Sequence, residues 1–174
     1  AAEKAHQVLQ LVDQNVDIPR QVNANLLLAE IEILQSPKTE TVALLENYLE
    51  LARFQDARPY CVRILLLLAQ AKISRQEISQ AQDYAREALA MAEHCKLKRQ
   101  VSIALRLLAD VKGQQGGFEA GCRFAERSAA WARRIEAPFE HAQALVSWSA
   151  MHPDSAQRLK LLQKALSIFY KLGA

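Results

Sequence analysis

An internal repeat of forty residues is the strongest constraint on how this chain can fold. Shifting the sequence against itself by 40 positions places small residues on small residues: Ala29, Ala69 and Ala109. The same shift places large apolar residues on one another: Leu28, Leu68, Leu108 and Trp148. Periods of about 20–50 residues are typical of arrays in which each unit packs on its neighbours. The register therefore predicts a stack of similar units.

Each unit is predicted to contain two helices, because apolar residues recur three and four positions apart on both sides of a short break. The breaks carry turn residues, namely Gly116-Gly117, Pro37 and Pro153, and Asp154 can cap the last helix together with Gln157. We predict about nine helices, which span residues 2–14, 20–35, 39–54, 58–74, 78–95, 98–114, 118–135, 138–151 and 155–172. The expected fold class is therefore all-α.

The small residues predict a close crossing of the two helices within a unit. Ala69 lies on a first helix, and Ala81, Ala85 and Ala88 lie on the second helix that follows it. Alanine at a crossing lets two helix backbones approach to the short end of the usual range of about 8–10 Å. A large side chain there would overpack the crossing, at a cost of about 1–3 kcal/mol.

Composition and motifs argue against several classes of function. The 174 residues carry a net charge of only +3, without a dense basic stripe, so we expect no direct contact with nucleic acid. The three cysteines, Cys61, Cys95 and Cys122, lack metal-ligand spacing, and no catalytic or phosphate-binding motif is present. We expect no catalysis, metal or cofactor. The longest apolar run, residues 64–69, is too short to cross a membrane, and reduced thiols would suit the cytoplasm.

The spacing of small and aromatic residues resembles the tetratricopeptide repeat. Ala69, Ala81, Tyr84 and Ala88 match that family's pattern, and "KGQQGGFEAG" is similar to its turn between helices. The resemblance implies a right-handed superhelix of antiparallel helix pairs, an α-solenoid. Two features depart from the family: the unit has 40 residues where 34 is typical, and charged residues occupy a position that is often aromatic. These are Glu32, Lys72 and Lys112.

The long unit "ILLLLAQAKISRQEISQAQDYAREALAMAEHCKL" looks like the repeats of MalT-like transcriptional activators. That resemblance implies a sensor region, within a large signal-responsive regulator, that binds a small effector or a regulatory protein. Long repeats also occur in constitutive scaffolds that hold two partners in an assembly. The scaffold therefore remains the alternative function.

We expect one repeat domain that covers the whole chain. Its predicted units are residues 1–19 (partial), 20–57, 58–97, 98–137 and 138–174. The register places the chain's beginning at a second helix whose partner is missing, which predicts a piece of a longer protein. An unpaired first helix would expose an apolar face, through which a homodimer could form.

The first helices of the units are expected to line the concave face of such a superhelix. Projecting the repeat onto that face predicts a site for a peptide segment or small effector, formed by Asn23, Leu26, Glu30, Arg63, Leu66, Gln70, Arg106, Asp110 and Gln143. Arg63 and Arg106 could together bind a carboxylate or phosphate, or they could be ordinary solvated arginines with acidic neighbours. Glu30, Gln70 and Asp110 stand where chaperone-binding relatives use asparagines, which disfavours that role.

Overall fold

The computed structural model describes residues 18–35 and 37–173, and within helix α1 it describes the side chains of residues 25–33. Eight helices occupy most of this range: α1 (Ile18–Gln35), α2 (Thr39–Phe54), α3 (Arg58–Ser74), α4 (Ile78–His94), α5 (Lys98–Gln114), α6 (Phe118–Arg134), α7 (Pro138–Met151) and α8 (Ser155–Lys171). The sequence-predicted bounds agree with these within two residues. The helix predicted over residues 2–14 lies outside the described residues.

The helices pack in the order in which they occur along the chain. Each helix contacts the next one, and the odd-numbered helices α1, α3, α5 and α7 also contact one another in succession. The even-numbered helices of the described region make no comparable contact with one another. The all-helical, repeating architecture predicted from the sequence is thus confirmed, and the odd-numbered helices form a continuous layer.

Five successive turns have the same backbone conformation. One residue in each turn has a positive φ, between 49° and 77°: Asp56, Gln76, Lys96, Gly116 and Glu136. The following residue donates its N–H back across the turn, as Ala137 does to the Ala132 carbonyl at 2.9 Å. This is the Schellman arrangement that ends many helices. The turns recur every 20 residues, so the forty-residue unit is built from two halves of equal length.

The predicted close crossings are present. Ala69, Ala81, Ala85 and Ala88 are all completely buried. In the next unit Gly121 takes the place of Ala81, and a Cβ atom on it would lie 2.3 Å from the Met151 Sδ and 3.2 Å from the Ala109 carbonyl oxygen. Met151 therefore fills the space that the missing side chain leaves.

A polar contact replaces the aromatic residue that the tetratricopeptide pattern has on the first helix. Lys72 is buried and donates to Glu77 at 2.7 Å, at the start of the next helix. Lys112 likewise reaches Gln82 at 2.9 Å, and Glu32 accepts from Thr41. All three side chains connect neighbouring helices. The departure from the family pattern thus has a structural role.

The helix starts follow the sequence expectations. The Asp154 carboxylate accepts a hydrogen bond from the Ala156 N–H at 2.8 Å, which confirms it as the cap of α8. Pro59 and Pro138 lie in the first turns of α3 and α7, where a missing N–H costs little.

Candidate functional site

A groove of about 560 Å³ crosses the layer of odd-numbered helices. Every side chain that lines it comes from α1, α3, α5 or α7: Leu27, Glu30, Ile33, Arg63, Leu66, Leu67, Gln70, Arg99, Gln100, Ile103, Arg106, Phe139, Glu140 and Gln143. We call this the odd-helix groove. Because successive units contribute side chains at similar positions, the forty-residue repeat itself builds the groove.

Three glutamines in the groove have uncommitted carboxamide groups. Gln70 lies on α3, Gln100 on α5 and Gln143 on α7, and each is partly exposed. None of their side chains hydrogen-bonds within the described part of the chain. A carboxamide carries both a donor and an acceptor, which is the pair that a peptide main chain presents. Three successive odd-numbered helices therefore offer the same hydrogen-bonding capacity along one line.

The charges in the groove are locally balanced, because each arginine has a carboxylate neighbour. The N–O distances are 3.6 Å for Arg63–Glu30, 2.5 Å for Arg99–Glu140 and 3.2 Å for Arg106–Asp110. Of the two roles considered for Arg63 and Arg106, the structure favours ordinary ion pairing with acidic neighbours. An anion would have to compete with these carboxylates for either guanidinium.

The Arg106–Asp110 pair is the most deeply placed of the three. Burial raises the pKa of the Asp110 carboxyl group, although Arg106 and the neighbouring Ser147 act in the opposite direction. The Arg106 Nε is buried and has no hydrogen-bond partner among the described residues. Since this atom is not accessible to solvent, a ligand in the groove cannot reach it either. The pair is a structural cost below the groove, and it offers no anchor to a ligand.

Six of the nine side chains predicted from the sequence line the groove: Glu30, Arg63, Leu66, Gln70, Arg106 and Gln143. Asp110 is paired with Arg106 beside the groove. Leu26 must be corrected, since it is completely buried in the hydrophobic core, and Leu27 lines the groove in its place. The side chain of Asn23 lies outside the described residues.

The sequence interpretation missed several lining residues that the repeat could have indicated. Ile103 aligns with Arg63 and Gln143 in the forty-residue register. Arg99 and Phe139 align with each other one turn earlier in their helices, as do Gln100 and Glu140. Extending the projection by one turn toward the helix starts would have found all of them.

The described residues contain no cluster of three or more metal-binding side chains. Cys61, Cys95 and Cys122 are free thiols, and burial raises the pKa of Cys61 and of Cys122. Within the described ranges, no helix combines the length and the apolar character that a membrane span requires.

The chain is an all-helical repeat array with a surface groove built by its odd-numbered helices. No protein-family model matches it, and none of the curated proteins compared with it is significantly similar.

Proposed function

We propose that this chain is a non-catalytic protein-interaction module that holds an extended peptide segment in the odd-helix groove. The observation that carries the proposal is the row of free carboxamides of Gln70, Gln100 and Gln143 beside an apolar lining. Carboxamides can bind the peptide main chain, and the apolar residues between them can receive alternate side chains of the segment.

The dimensions of the groove favour a peptide over a small charged effector. Four helices side by side, at about 8–10 Å each, span roughly 25–30 Å, which is the length of about eight or nine extended residues. The balanced ion pairs leave little net charge for recognising an anion. The ligand that fits best is therefore an uncharged stretch with apolar side chains.

The proposal includes a tetratricopeptide-like right-handed superhelix with antiparallel pairs and the odd-numbered helices on its inner side. The close crossings at Ala69 and Ala109 and the continuous odd-numbered layer support this arrangement. We further propose that the domain is part of a larger cytoplasmic regulator similar to MalT-like activators. The forty-residue unit supports that assignment.

The groove is tested with a peptide selected from a random library on the full chain. The selected peptide is then titrated by calorimetry into the wild type and into Gln70→Ala/Gln143→Ala. We expect the double variant to bind at least about tenfold more weakly, since each lost hydrogen bond contributes about 0.5–1.5 kcal/mol. The matched control is Gln80→Ala/Gln114→Ala, at exposed positions outside the groove. Equal affinities for all three proteins would refute the groove as the binding site.

The alternative of a constitutive scaffold is favoured by a second apolar surface on α8, where Leu159, Leu162 and Leu166 are exposed. A sensor changes its superhelix curvature when the ligand binds, whereas a scaffold keeps its shape. Small-angle X-ray scattering with and without the selected peptide separates the two functions. A change in the radius of gyration supports the sensor, and an unchanged scattering profile at saturation supports the scaffold.

A further inference from the structure

Helix α8 exposes an apolar face that has no partner within the described chain. The other even-numbered helices each pack between two odd-numbered helices, whereas α8 packs against α7 alone. Leu159, Leu162 and Leu166 are 57%, 44% and 69% exposed, and with Val146 and Phe169 they border a shallow, almost entirely apolar groove of about 380 Å³. We call these five residues the α8 face. Its size and continuity exceed what single scattered surface leucines present.

The repeat identifies what covers this face elsewhere in the molecule. Aligning the starts of α6 and α8 places Leu162 on Ala125 and Leu166 on Ala129, and both alanines are buried. Ala129 packs against α7, the odd-numbered helix that follows α6. The α8 face is therefore the even-numbered half of the contact that joins one unit to the next.

Helix α1 exposes the complementary half. Leu28 and Ile31 are 64% and 54% exposed, which is unusual for these positions of the repeat. Their equivalents on α3 and α5 are buried, with at most 2% exposure: Leu68, Ala71, Leu108 and Val111. We call Leu28 and Ile31 the α1 face. The two ends of the described array thus present opposite halves of one interface.

Charge favours a pairing of α8 with α1 over a pairing of two α8 helices. Helix α8 has four basic and no acidic residues, so two copies of it would repel each other. Helix α1 contains one basic residue and two acidic ones, Glu30 and Glu32. Because these acids already pair with Arg63 and Lys38, the charge contrast acts mainly against the α8–α8 arrangement.

We propose that a second copy of this chain docks its α1 face on the α8 face, which repeats the internal contact between units across two molecules. Such an interface joins different surfaces of the two copies, so it is heterologous and can continue head to tail. The larger leucines on α8, where α6 has alanines, set the incoming helix toward the long end of the usual interaxial range of about 8–10 Å.

The test is sedimentation velocity of the full chain over a range of concentrations. The wild type is expected to form species larger than a monomer as concentration rises. Leu162→Ser/Leu166→Ser and Leu28→Ser/Ile31→Ser should each weaken association by about tenfold or more, because they remove apolar area from one half of the contact. Phe54→Ser, at a residue that is 89% exposed on α2, is the matched control and should associate like the wild type.

Mixing the two double variants gives the decisive result. Each variant keeps one intact half of the contact, so the mixture should form a one-to-one dimer that does not grow further, while each variant alone stays monomeric. Circular dichroism checks that both remain helical. A monomeric wild type at all concentrations would overturn the proposal and leave the α8 face to a helix of another protein. Association that the α1 variant does not weaken, or a mixture that stays monomeric, would also overturn it.

Discussion

Replacing the residues with positive φ by glycine should stabilise the protein. Gln76, Lys96 and Glu136 hold φ values of 62°, 56° and 54° in three equivalent turns. Their side chains are exposed and make no hydrogen bond or ion pair in the described part of the chain. The left-handed region is unfavourable for residues with a Cβ atom and costs glycine nothing. The change therefore removes backbone strain without removing a side-chain contact.

The expected gain follows from two opposing terms. Relief of the left-handed conformation contributes about 1–2 kcal/mol at each turn, and the greater freedom of glycine in the unfolded chain offsets roughly half of it. We expect a net gain of about 0.5–1 kcal/mol for each site. The sites lie in separate turns, so the triple variant should gain about 2 kcal/mol. For a domain of this size that corresponds to a rise in Tm of about 4–8 °C.

Thermal and urea unfolding followed by circular dichroism measure this gain. Two controls accompany the triple variant. Gly116→Ala, at the equivalent turn with φ of 77°, should lose about 1 kcal/mol. Glu93→Gly, at an exposed helical position of α4, should also lose about 1 kcal/mol through lower helix propensity. If Gln76→Gly, Lys96→Gly and Glu136→Gly each destabilise the protein as Glu93→Gly does, the reasoning about these turns is wrong.

Three further predictions concern the packing. Gly121→Ala should destabilise the wild type by about 1 kcal/mol because its Cβ meets Met151, but should stabilise a Met151→Ala background through helix propensity; a double-mutant cycle in urea checks this. Ser128→Ala should cost about 1 kcal/mol in urea unfolding, because the Ser128 hydroxyl donates to the buried Ser102 carbonyl at 2.8 Å. The raised pKa of Asp110 means that the folded state binds its proton more tightly, so stability should fall as pH rises above about 4, and Asp110→Asn should reduce this loss in urea midpoints measured from about pH 4 to pH 6.

The helix bounds were predictable because two independent signals agree along the chain. Apolar spacing places the fourth described helix at residues 78–95, and the structure has it at Ile78–His94. The turns were only partly predictable. Gly116 signals a left-handed residue, whereas Gln76 and Lys96 do not, because tertiary packing imposes that conformation on them. The twenty-residue half-period therefore became visible only in the structure.

The groove could be predicted to the level of the helix face, and less well to the level of the side chain. Projecting the repeat found Gln70 and Gln143, since all units share one register. It chose Leu26 over Leu27, because neighbouring apolar residues on one helix differ only by a rotation that packing decides. The pairing of Arg99 with Glu140 is a contact between units, which the spacing within a unit cannot indicate.

Recognition of a peptide main chain by the groove carboxamides is the central claim, and one calorimetric cycle tests it most directly. The library-selected peptide and analogues with single N-methylated amides are titrated into the wild type and into Gln143→Ala. The account predicts that methylation of one amide weakens binding to the wild type by about threefold to tenfold and has much less effect on Gln143→Ala. Equal losses in both proteins for every methylated position would contradict it.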